Sequence, residues 1–293
     1  MRFPLTLTVL SLSLSLFCVA SSRLGQKDAI AALRTRDKPP PNGKPPHLKV
    51  KKVLQGEAFW YYGFEKDSYW FNFYEHLWEQ LVEVVNLVGN SGFSDDIFKT
   101  WFSEIEGQVV EKMLEVIREK ISPRCEADNS PKIWIVAGDP DNQCGDKTVA
   151  YSKSVSYLNP RPKQMDPGDF TQGKTGDYYM AFCGKNIEAR PYLLDCSAFQ
   201  SRKFAKKDMP LVFTMLHELG HFEFIGNKVL NEFPSVIRSS KISKMNGLGF
   251  AVAPEVYDPE FCSLMANEAD KTPTCKIQPT RNPDNYAWFA LVR

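Results

Sequence analysis

Two histidines four positions apart, His217 and His221, enclose a glutamate next to the first of them in the run Leu216-His217-Glu218-Leu219-Gly220-His221. On a helix, residues i and i+4 lie on the same side, one turn apart, so two imidazoles at this spacing can share one Zn²⁺. The adjoining Glu218 enters the same cleft. There it could take a proton from a zinc-bound water and pass it to a leaving amine. This spacing predicts a zinc hydrolase with His217 and His221 as metal ligands and Glu218 as general base. A catalytic zinc needs a third protein ligand and one position left for water. The extended pattern H-E-x-x-H-x-x-G-x-x-H is absent, because Phe224 and Asn227 stand where its glycine and histidine would be. The third ligand is therefore expected to be a later carboxylate, with Glu232, Glu255, Asp258, Glu260 and Glu268 as the candidates.

The elements that would position these groups can be read from periodicity. A helix is expected from about Pro210 to Ile225. Pro210 suits its first turn, Asp208 could cap it, and Val212, Met215, Leu216, Leu219 and Phe222 form an apolar stripe. From Glu57 the pattern turns helical, with Tyr69, Phe73, Leu77, Leu81, Val84 and Leu87 recurring at three- or four-residue steps until Gly89 to Gly92 breaks it. A second helix is expected from an N-cap at Ser94 through Phe98, Phe102, Val109, Met113 and Val116 to about Ile121, where Pro123 stops it. Ile133 to Val136, Thr148 to Tyr151 and Tyr178 to Cys183 read as short strands. Two short helical pieces, about Pro259 to Ala269 and Pro283 to Val292, close the chain. His76, on the first helix, reads as a surface or structural histidine. The fold class expected is α+β and mostly helical, with a small sheet.

The start of the chain reads as an export signal: Arg2, an apolar stretch from Leu5 to Val19, and small residues at Cys18-Val19-Ala20. The expected organisation is a signal peptide over 1–20, a Pro-rich linker or pro-segment over 21–56 with a possible processing site at Lys51-Lys52, and a catalytic domain over 57–293. With Cys18 removed, six cysteines remain (Cys125, Cys144, Cys183, Cys196, Cys262 and Cys275), an even set that allows up to three disulfides in an exported chain. No C-x-x-C pair offers a thiolate metal site. A net charge of +1 points neither to nucleic acid nor to an acidic membrane as partner. The chain is expected to be a secreted monomer acting on proteins or peptides.

The zinc helix, Val256-Tyr257-Asp258-Pro259, and Asn282-Pro283-Asp284-Asn285-Tyr286-Ala287-Trp288-Phe289-Ala290 together resemble the aspzincins, a family of zinc metalloendopeptidases that includes deuterolysin, the peptidyl-Lys metalloendopeptidases and many secreted fungal relatives. The resemblance spans about residues 90–293, and its specificity rests on the C-terminal element. It implies a zincin-like, mostly helical fold and a peptidase activity, with zinc on His217 and His221 and Glu218 as base. It also implies that Tyr257 helps hold the oxyanion, where a preorganised donor is worth several kcal/mol to the transition state. One departure matters. The family places an aspartate three residues before that tyrosine, and here the position is Pro254, while Asp258 replaces the family glycine. Glu255 becomes the first candidate for the third ligand and Asp258 the second. The same departure motivates the alternative of a catalytically impaired secreted relative that acts by binding a partner.

Overall fold

Aromatic and β-branched runs form the strands, and the longer apolar periodicities form the helices around them. The computed structural model describes residues 52–90, 92–123, 131–155, 176–187, 210–236, 262, 263, 266 and 279–292. In chain order the elements are β1 (Val53–Gln55), β2 (Trp60–Tyr62), α1 (Tyr69–Gly89), α2 (Asp96–Trp101), a 3₁₀ turn Glu104–Glu106, α3 (Gly107–Ile121), β3 (Ile133–Val136), β4 (Ala150–Ser154), β5 (Tyr178–Phe182), α4 (Gly184–Ile187), α5 (Leu211–Gly220), α6 (Gly226–Glu232), a 3₁₀ turn Pro279–Arg281 and α7 (Pro283–Val292). The class is α+β.

The sheet is mixed, in the order β1-β2-β3-β5-β4. The pairs β2–β3 and β3–β5 are parallel, and both outer pairs are antiparallel. All residues of β3 (IWIV) and β5 (YYMAF) are buried, as expected of inner strands covered on both faces. Ile133, Ile135, Tyr178, Met180 and Phe182 face the main core with the helices, while Trp134, Val136, Tyr179 and Ala181 join a second cluster on the opposite face.

The structure corrects several expected boundaries. Residues 53–62 form two paired strands, not the beginning of a helix, so β1 falls inside the segment read as linker. The helix starts at Tyr69, where the Ser68 side chain accepts from the Phe71 N–H. Leu87, placed on its apolar stripe, is half exposed, and Val85 and Val88 take the inner positions. The helix expected over 94–121 is two helices. Asp95, not Ser94, caps the first. At Phe102 the backbone turns extended, and the Glu106 side chain accepts from the Ser103 N–H. The Ser103-x-x-Glu106 spacing is itself a helix-start signal that marks this break. Strand β4 lies two residues later than expected, and α5 stops at Gly220. The helix α7 matches its expected span. The piece around Pro259 to Ala269 lies mostly outside the described residues, and the signal segment 1–20 lies wholly outside them. No helix among the described residues is long and apolar enough to cross a membrane.

One of the expected disulfides is present, Cys144–Cys183. The loop after β3 presents Cys144 because both Asp139 carboxylate oxygens accept backbone N–H groups, from Gln143 and from Cys144. Asn142 takes the left-handed conformation within that turn (φ 55°). Cys262 is buried, and Cys125, Cys196 and Cys275 lie outside the described residues. The bridge closes a loop with a sequence separation of 39, for which chain entropy gives about 4 kcal/mol of stabilisation. The double variant Cys144→Ser/Cys183→Ser is therefore expected to lose stability of that order in chemical denaturation. An unchanged midpoint would show that the bridge contributes nothing.

Candidate functional site

The helix α5 is apolar on nearly every side, and all ten of its residues are buried. A helix of that kind belongs in the middle of a structure. It packs against α1, α7 and β4. The helix is therefore buried on its polar face as well as along its apolar stripe, and its polar groups lie in the interior. His217 and Glu218 are 7 % and 5 % exposed. Burial of that degree requires compensation by partners.

His221 lies one residue past the last helical position but keeps helical dihedrals (φ −74°, ψ −14°), and its N–H bonds back to the Glu218 carbonyl. Its ring consequently stays one turn above that of His217. The two Nε2 atoms lie 3.1 Å apart and the ring planes stand at 70°. Two imidazole nitrogens bound at about 2.0–2.1 Å to a tetrahedral zinc would be separated by about 3.3 Å. The observed spacing corresponds to an N–Zn–N angle of about 100° at those bond lengths. The contact is itself a hydrogen bond between the two rings, at a spacing close to that of two nitrogens on one cation.

The other nitrogen of His217 is held too. Nδ1 lies 2.6 Å from Oδ1 of Asp284, and that aspartate is itself buried. With Asp284 accepting, His217 carries a proton on Nδ1, and in its neutral form its Nε2 is the acceptor facing Nε2 of His221. Histidines that bind metals commonly carry an outer carboxylate of this kind. Asp284 cannot be the third ligand. It sits on the Nδ1 side of the ring, and a cation on Nε2 would lie about 6 Å from its Oδ1, given ordinary metal–nitrogen bond lengths.

The C-terminal Asn-Pro-Asp-Asn-Tyr-Ala element holds Asp284 in place. Asn285 Nδ2 donates to the carbonyls of Trp101 (2.7 Å) and Cys262 (3.1 Å). Asn282 Nδ2 donates to Asn285 Oδ1 (2.7 Å). The Tyr286 hydroxyl donates to the Thr280 carbonyl (3.1 Å), and burial, helped by the nearby Glu106 charge, pushes that phenol well above its usual pKa, so it remains a donor. The motif was visible in the sequence, but the role of Asp284 was not, since it lies 67 positions from its partner.

Beyond His221, aromatic packing fixes the chain against the sheet. Tyr178 of β5 meets Phe222 (4.9 Å between centroids) and Phe224 (5.2 Å), and its hydroxyl bonds Glu223. Phe224 is therefore a packing residue. His76 sits at the surface beside Glu79. Of the third-ligand candidates only Glu232 is described, and it is exposed at the end of α6, within electrostatic reach of Lys112 on α3. Glu255, Asp258, Glu260 and Glu268, and with them Tyr257, lie outside the described residues. Among the described residues, no group of three or more His, Cys, Asp or Glu side chains is gathered to hold a metal by itself. The described part of the site thus supplies two adjoining histidine nitrogens, a buried glutamate next to His217 in the chain and a carboxylate on the far nitrogen of His217. Comparison of the chain with family models, curated proteins and solved structures finds no match.

Proposed function

We propose that the chain is a secreted zinc-dependent endopeptidase of zincin-like architecture. The observation that carries this reading is the convergence of His217 and His221 at 3.1 Å while Asp284 holds the far nitrogen of His217. The same tautomer suits a hydrogen bond between the two rings; what favours metal is its combination with the H-E-x-x-H spacing, the buried Glu218 and an outer carboxylate of the kind metal-binding histidines carry. Bound zinc would supply a water acidic enough to attack near neutral pH and would polarise a scissile carbonyl. His217 and His221 would hold the cation, and Glu255, or Asp258 in its place, would complete its protein ligands. Glu218 takes the proton of the attacking water and delivers it to the departing amine. Tyr257 donates to the developing oxyanion. The substrates are proteins or peptides.

The reading predicts about one zinc per chain in the purified protein and cleavage of unfolded casein. Both are expected to disappear on dialysis against a chelator, with cleavage returning on zinc addition. Zinc with no cleavage, or neither, would favour the alternative, a secreted protein of this fold that acts by binding a partner.

A further inference from the structure

Glu106 is a buried acid that the proposed chemistry does not use. It is 1 % exposed, at the end of the 3₁₀ turn before α3. Its Oε2 accepts from the N–H and the hydroxyl of Ser103, both at 2.8 Å. Its Oε1 accepts from the hydroxyl of Thr280 at 2.9 Å and from the Thr280 N–H at 3.3 Å. Among the described residues these partners are all neutral donors. Its Ser103 bonds form a capping box for the helical turn, and its other oxygen is given to Thr280, which ties this turn to the chain ahead of α7.

Thr280 lies four residues before Asp284, and its carbonyl is the acceptor of the Tyr286 hydroxyl, two residues beyond Asp284. Glu106 therefore holds the chain entering α7 through Thr280, while Asn285 ties the first turn of α7 to Trp101 and Cys262. Packing of α7 on α5 sets the separation of the two helices. The polar ties anchor the residues on either side of Asp284 in sequence, Thr280 before it and Asn285 after it, to the segment Trp101–Glu106 and to Cys262. We propose that Glu106 is a positioning residue for the zinc centre: through Thr280 it holds Asp284 at bonding distance from His217, and so sets the affinity of the histidine pair for metal. The inference rests on the zinc reading above.

The experiment is a double-mutant cycle on the full chain, with zinc affinity measured by competition against a chromophoric chelator and folding followed separately by circular dichroism. Glu106→Gln keeps the size of the side chain but places an amide NH₂ against donors. It is expected to weaken zinc binding roughly tenfold, at the low end of what loss of an outer partner produces. Asp284→Ala weakens it on its own, and adding Glu106→Gln to that variant is expected to change affinity less than twofold. Should Glu106→Gln fail to fold, Thr280→Val removes one donor and is expected to shift affinity in the same direction by a smaller factor, again only when Asp284 is present. Wild-type affinity in Glu106→Gln, or an equal loss with and without Asp284, would overturn the inference while leaving the zinc reading intact. A wild-type chain that binds no zinc would remove the zinc reading and this inference with it.

Discussion

Replacing Glu218 with Gln is expected to lower casein cleavage by about 10²–10⁴-fold, the usual contribution of a positioned general base, while zinc content stays near one per chain. Glu218 is adjacent to His217 on a helix whose every residue is buried, and in the proposed H-E-x-x-H site that position is the general base. The amide of Gln has the same shape and can still hydrogen-bond, so the interior need not repack. It cannot take up a proton at neutral pH, and catalysis fails at that step alone. The measurement is kcat/KM together with metal analysis and Tm on the same preparation. Loss of zinc or of several degrees in Tm along with activity would show instead that Glu218 holds the site together.

Asp284→Ala is the second large effect. Its carboxylate is the outer partner of His217 at 2.6 Å. Removing it leaves the ring without its acceptor on Nδ1, so the proton can move to Nε2 and block the metal lone pair. Loss of such partners weakens metal binding about 10–100-fold, equivalent to about 1.4–2.7 kcal/mol. The buried Nδ1–H also loses its bond, at a cost to folding of about 1–3 kcal/mol. Both changes are measurable on one sample, by chelator competition and by urea denaturation of the zinc-free protein. Unchanged zinc affinity would mean that the 2.6 Å contact is structural only.

How much of this could be read from residues alone differs from element to element. The i, i+4 spacing of His217 and His221 is local, and a single turn of helix brings the rings together even though α5 ends between them. The spans of β3 and β5 were legible because fully buried strands are short apolar runs with Gly, Asp or Pro nearby. The run Phe59-Trp60-Tyr61-Tyr62 was not, because an aromatic cluster before a strong helical period looks like more of that helix. Its strand character comes from parallel pairing of Trp60–Tyr62 with Trp134–Val136, more than 70 positions away. The break at Phe102 had a local signal in Ser103-x-x-Glu106, hidden by apolar residues that continue on both sides of it. Asp284 and Glu106 stayed hidden for a different reason. Their partners, His217 and Thr280, come from distant parts of the chain, and no periodicity relates them.

The most direct test of the central claim is X-ray absorption at the zinc edge on the stoichiometrically loaded protein, compared with the same sample carrying His221→Ala. Two histidine nitrogens at about 2.0–2.1 Å with oxygen ligands filling the remainder are predicted for the wild type, with one imidazole contribution lost in the variant. Sulfur at about 2.3 Å, or a spectrum unchanged by the variant, would contradict the account.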